Sequence, residues 1–153
     1  MRLVGIAVGM ALSGVLSLSG GAQDQDAPDY EYTTKGTTIY EASNGFLAKV
    51  LVEAANLGSE DVKIAEMTFP VGYAGQGHLH GALEIFYVLE GRFGHSVNGV
   101  DGILEVGEVG IVKAGDTVTH SVHGDTPAKV LTIWVPGGEA AVSFDGLPSH
   151  PVD

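Results

Sequence analysis

The chain has 153 residues, no cysteine, 23 glycines and only 17% charged residues. That length suits one domain of ordinary size, and the missing thiols exclude disulfide frameworks, thiolate zinc sites and cysteine nucleophiles. Seven Lys plus Arg against 19 Asp plus Glu give a formal charge of −12, which argues against nucleic acid and anionic membrane surfaces as partners, since both reward a basic face.

Residues 1–22 read as an export signal. Arg2 supplies the positive charge, residues 3–18 are apolar or small and uncharged, and Gly20, Gly21 and Ala22 put small side chains before Gln23. The run is shorter than the ~20 apolar residues of a spanning helix. A periplasmic or secreted location follows as the expectation, with no membrane attachment after cleavage. Residues 23–45 read as a leader and arm, polar and acidic at first, then rich in tyrosine and threonine over 30–40. That composition suits an edge strand or an arm laid along a second copy of the chain, so a homodimer is among the expectations.

Strand-like segments then follow at short intervals, at 46–52, 62–69, 84–89, 93–97, 103–106, 109–112, 118–122 and 130–135. Glu90-Gly91, Asn98-Gly99, Asp101-Gly102, Gly107-Glu108, Ala114-Gly115-Asp116 and Gly124-Asp125 separate them as turn formers. No segment holds a 3.6-residue apolar period over three turns. The 84–89 run is nearly continuous in apolar residues, as expected of a strand buried on both faces or facing a barrel interior. An all-β sandwich, jelly roll or barrel is expected over 46–136, with 137–153 as a C-terminal tail.

The chemistry lies in two histidine segments. His78 and His80 are two residues apart, which on a strand puts both imidazoles on one face with α-carbons ~6.6 Å apart. Glu84 follows beyond Gly81, which lets the chain turn and bring a carboxylate back. Two neutral imidazoles and a carboxylate make a first shell for divalent iron, manganese, nickel or zinc. Strand parity separates Val118, His120 and Val122 from Thr119, Ser121 and His123, so His123 reads as solvated. His95 shares a face with Phe93 and Val97 and reads either as cavity-lining or as a core histidine. Trp134 reads as core.

Gly72, His78, His80, Glu84 and Gly91 match G-x5-H-x-H-x3,4-E-x6-G at every defined position, and the segment resembles the first motif of the cupin superfamily. The second motif, roughly G-x5-P-x-G-x2-H-x3-N, is matched by Gly107, Gly115 and His120, with Lys113 in place of the proline and two extra residues before the histidine. An insertion of two preserves strand parity. The resemblance implies a double-stranded β-helix, a jelly-roll β-barrel, with one divalent transition metal held by His78, His80, Glu84 and His120. Four such ligands leave two positions of an octahedral shell for water, dioxygen or substrate.

Three functions fit this reading. The first is a quercetinase-like, dioxygenase-type oxidoreductase acting on a small organic molecule, with Phe86, Val88 and His95 around the substrate. The second is a cupin isomerase or lyase in which Glu84 moves protons. The third is a binding protein that uses the cavity without turnover. The export reading generates its own test: intact-mass measurement of protein from the producing cell should find a mature N-terminus near Gln23, and soluble full-length chain in the cytoplasm would refute it.

Overall fold

The computed structural model describes residues 30–153, so the export signal and residues 23–29 lie outside the described residues. Strands with alternating inward and outward side chains build two facing antiparallel sheets. In chain order they are β1 (Thr38–Glu41), β2 (Leu47–Val52), β3 (Lys63–Phe69), β4 (His78–Leu79), β5 (Leu83–Glu90), β6 (Phe93–Val97), β7 (Ile103–Leu104), β8 (Val109–Val112), β9 (Thr117–Val122), β10 (Ala128–Val135) and β11 (Ser149–Pro151), with a short helix α1 (Ala54–Leu57) between β2 and β3. The larger sheet runs β11-β1-β2-β3-β10-β5-β8 and the smaller β4-β9-β6-β7. This is the jelly-roll arrangement expected from the strand spacing.

The turns follow local chemistry. Asn98 (φ 51°) and Gly99 (φ 79°) occupy left-handed backbone between Val97 and Val100, the two-residue hairpin expected of an Asn-Gly pair. Gly91, also left-handed, joins β5 to β6 where a side chain would strike the Pro127 carbonyl.

Inward residues form one core. Ala65, Met67 and Phe69 of β3, Val130 and Trp134 of β10, Phe86 and Val88 of β5, and Val118 and Val122 of β9 are all buried. Trp134 lies opposite Glu84 across the β10–β5 pairing and has no exposed surface, the core position expected. Of the two readings of the 84–89 run, a strand facing the barrel interior is the one found. Glu84, Phe86 and Val88 face inward, but Tyr87 remains 41% exposed on the outer face, so β5 is buried on one side only. Its apolar continuity reflects an uncovered sheet face rather than a second core.

Two further segments differ from their sequence readings. Only Thr38–Glu41 of the arm is a strand, and its two edges are taken by β2 and β11 of the same chain. The segment 137–153, read as a tail, packs on the barrel. It makes a 3-10 turn (Gly137–Ala140), a short helix α2 (Ala141–Phe144) and β11. Its anchor is Phe144, 4% exposed, stacked on Tyr40 at 4.7 Å and edge-on to Trp134 at 5.6 Å. One buried aromatic among glycines and prolines leaves no periodic signal in sequence. Phe144→Ala should therefore cost about 3–5 kcal/mol of stability in urea unfolding and admit protease within 137–153, whereas an idle tail would show neither effect.

Candidate functional site

Three elements bring polar side chains to the inner faces at one end of the barrel. β4 carries His78 and leads into His80, β5 carries Glu84 as its second residue, and β9 carries His120 between Val118 and Val122. His78 pairs with Val118 across β4–β9, which fixes its height relative to His120. Of the four residues between Gly115 and His120, only Asp116 belongs to the turn and Thr117, Val118 and Thr119 belong to β9, so the two residues extra to the second motif extend the strand with parity kept. His120 is 7% exposed and faces inward, while Thr119, Ser121 and His123 are half-buried on the outer face.

His80 is held by its backbone. Its N–H donates to the Asp116 carbonyl at 2.9 Å, and its own carbonyl accepts from Gly115 N–H at 2.8 Å. The turn that does this is braced by side chains. Asp116 accepts from the Lys113 N–H at 2.8 Å and from the Asn98 amide at 2.7 Å, and the Asn98 carbonyl oxygen accepts from Thr117 N–H at 2.9 Å. Sequence reading treated this segment only as a turn; the Asp and Asn beside glycines were its signal.

The donor atoms meet closely. His80 Nε2 lies 3.1 Å from His78 Nε2 and 3.0 Å from Glu84 Oε2. His78 Nδ1 lies 3.1 Å from the Gln76 carbonyl, which can only accept, so that nitrogen carries the proton and Nε2 presents a lone pair. His80 Nε2–H is thus paired with His78, and Glu84 Oε2 is left without a hydrogen bond despite its short distance. The contact with Glu84 raises the His80 pKa above the ordinary imidazole value. His78 stands exposed at the rim, whereas His80 and Glu84 are buried at 5% and 3% exposure.

His120 is placed differently. Its ring stacks on Phe93 at 4.9 Å and on His95 at 5.5 Å, tilts against Phe86 at 4.6 Å, and lies 6.0 Å from the His78 ring. Neither ring nitrogen has a hydrogen-bond partner. Burial drives its pKa down to about 3, so it is a neutral imidazole at physiological pH. As the side chains stand, no three or more His, Asp or Glu among the described residues surround a point as a finished ion site.

A cavity of about 390 Å³ opens onto this cluster and is lined by His78, Glu84, His120 and Phe86 together with Phe46, Met67, Phe69, Tyr73, Asn44, Ala42, Val142, Ser143 and Leu147. Phe86 walls it as expected from its face. Val88 does not, which corrects the sequence reading: it shares the face of Glu84 and Phe86 but is fully buried deeper in the barrel, opposite Val130. Strand parity gives the face and not the depth. His95 also leaves this cavity; it packs on Phe86 and His120, is held below the ordinary imidazole pKa by burial, and lines a separate cavity of about 580 Å³ with Ser121 and His123. Tyr73 and the 142–147 residues were not singled out from sequence; the former lies one residue past a motif glycine and the latter lie far along the chain.

Two antiparallel sheets with histidines and a carboxylate on inner faces at one end define a small β-barrel built around a single buried polar site. Residues 65–134 match the Cupin domain family, and the chain carries a small domain of the cupin superfamily. No curated protein is significantly similar in sequence. Among solved structures, an RmlC-like cupin from Shewanella frigidimarina superposes with a TM-score of 0.57 at 20% identity, covering 72% of this chain and 92% of that one. A predicted oxalate decarboxylase from Thermotoga maritima gives 0.53 at 21% identity, covering 66% and 92%. The DMSP lyase DddQ from Ruegeria pomeroyi gives 0.52 at 22% identity, covering 59% and 46%. At these identities the likeness establishes the fold.

The bracing turn predicts a pH dependence. The Lys113 N–H and then the Asn98 amide hold the Asp116 carboxyl below its ordinary value of 3.8. A depressed folded-state pKa stabilises the fold at pH above the ordinary value, and that contribution is lost as pH falls through the folded-state value. Asp116→Ala should lower the melting temperature at neutral pH, and the gap to wild type should narrow as the pH falls below the ordinary value of 3.8. A gap that persists in acid would show that the carboxylate is not the source.

Proposed function

We propose that the chain is an exported, metal-dependent cupin enzyme that oxidises a small, largely apolar organic molecule bearing a carbonyl or phenolic oxygen. The observation that carries this reading is the cavity of about 390 Å³, mainly aromatic and aliphatic, onto which His78, Glu84 and His120 open. His78 Nε2 and Glu84 Oε2 both crowd within 3.1 Å of His80 Nε2, and Glu84 Oε2 has no hydrogen-bond partner, which marks a place where positive charge is needed. Their spacing also suits neighbouring ligands: two bonds of ~2.1 Å at right angles put their donor atoms about 3.0 Å apart. The partnerless nitrogens of neutral His120 complete a set of three imidazoles and one carboxylate. Divalent iron, manganese, nickel or zinc suits such donors and would supply a Lewis acid with open positions and, for iron or manganese, electron transfer with dioxygen.

The chain's own residues do the rest. The Gln76 carbonyl fixes the His78 tautomer that offers Nε2. Phe46, Phe69 and Phe86 exclude water and hold an apolar body, while Asn44 and Ser143 offer hydrogen bonds at the wall. Tyr73 is half-buried, and burial raises its pKa, so its hydroxyl stays protonated at neutral pH and can donate to a substrate oxygen.

Tyr73 also favours a second reading, a non-redox lyase or isomerase in which Tyr73 and Glu84 exchange protons with the substrate. The neighbouring folds include proteins described as a decarboxylase and a lyase. Oxygen separates the two. Protein loaded in turn with iron, manganese, nickel and zinc should consume oxygen on a phenolic and carbonyl panel with at least one metal. Turnover without oxygen would support the lyase, and tight binding without any turnover would support a binding protein. In the same preparations His120→Ala should weaken metal binding beyond the ~10–100-fold typical of an outer-shell change, and His123→Ala should leave it unchanged. The reverse result would remove His120 from the set.

A further inference from the structure

Gly81 stands between His80 and Glu84 in the turn from β4 to β5, and its backbone is not in the left-handed region. Conformational freedom is therefore not what a glycine supplies here. A β-carbon at this position would lie 2.6 and 2.8 Å from the two carboxylate oxygens of Glu139. The space a side chain would fill is already taken by a residue 58 positions away, and the Gly81 N–H donates to Glu139 Oε1 at 2.9 Å.

Glu139 is well placed to act as a tie. It sits in the 3-10 turn after β10, one residue before the buried Ala140. The start of that turn is fixed to the barrel, because Gly137 N–H donates to the Glu60 carbonyl at 2.8 Å and Gly137 packs on the Val62–Lys63 backbone with no room for a β-carbon. The end is fixed by Phe144. Between the two anchors Glu139 reaches to the donor turn, and just beyond it Val142, Ser143 and Leu147 wall the cavity.

We propose that Glu139 is a positioning residue: its carboxylate clamps the Gly81 amide, sets the geometry of the His80–Glu84 turn for an ion, and locks the C-terminal cavity wall to the donor set. This rests on the metal-site reading above. Two variants break the clamp from opposite sides. Glu139→Ala removes the acceptor, and Gly81→Ala pushes the flexible carboxylate aside. Glu139→Gln keeps an oxygen acceptor.

The test titrates Mn(II) and Co(II) into the metal-free full chain and its variants, and follows the Co(II) absorption spectrum. Glu139→Ala and Gly81→Ala should each weaken binding by about 10–100-fold, as loss of an outer-shell contact does, and alter the Co(II) spectrum. Glu139→Gln should recover most of the affinity and the wild-type spectrum, which a loss of folding would not allow. In the metal-free protein, Glu139→Ala should also speed hydrogen exchange at the Gly81 amide. Wild-type binding together with unchanged affinity and spectrum in both clamp-breaking variants would overturn this proposal alone. Failure of the wild type to bind either ion would overturn the metal-site reading and this one with it.

Discussion

A barrel of this size is stable only if its inner faces are mostly apolar, and this one buries His80, Glu84, His95 and His120 among them. Burying polar groups without partners costs several kcal/mol on the least forgiving scales and about 1–3 kcal/mol in proteins. His80 and Glu84 offset part of that cost through their 3.0 Å ion-pair contact, although Glu84 Oε2 makes no hydrogen bond. His120 does not, since both of its nitrogens lack partners. It is fixed instead by ring packing against Phe93, Phe86 and His95. A ring oriented by stacking alone keeps both nitrogens uncommitted, which suits a group reserved for a ligand.

Precision at such a site has to come from backbone, because the donors sit on separate strands. His78 and His120 belong to the smaller sheet or its edge, and Glu84 to the larger. The link between sheets runs through the turn from β4 to β5, where His80 is bonded in both directions to the turn before β9. Asn98 joins that turn to the β6 hairpin through Asp116 and Thr117. The donor turn is thus tied to the turn before β9 and through it to the β6 hairpin, with Glu139 adding the C-terminal segment.

The period-2 face of a strand was the most legible quantity in the sequence. It put His78 with His80, and His120 with Val118 and Val122, and the Asn98-Gly99 hairpin was equally plain. Depth along a face was not legible. Val88 has the same parity as Phe86, yet lies in the core because only the end of β5 nearest Glu84 meets the cavity. Coverage of the outer face was not legible either, since an apolar run such as that around Tyr87 looks the same whether or not another layer packs on it. The cavity wall was hidden for a third reason. It is assembled from segments near 42–46, 67–73 and 142–147, and no local pattern reports contacts across such separations.

That assembly divides labour along the chain. Residues between His78 and His120 supply the donors, while the C-terminal segment supplies much of the wall that a substrate meets. Val142 lines the cavity and is 77% exposed, so the mouth opens beside α2 rather than through the barrel. A volume near the lower end of ordinary ligand sites, about 300–1,000 Å³, leaves room for one ring and its substituents. In the proposed reading the apolar lining would bind the body of such a molecule with little orientation, and Tyr73, Asn44 and Ser143 would decide which oxygen faces the donors. Changing side chains on α2 alters the room at the mouth without touching His78, His80, Glu84 or His120. Selectivity and ligand chemistry are therefore separable in this barrel, and Glu139 is the contact through which one constrains the other.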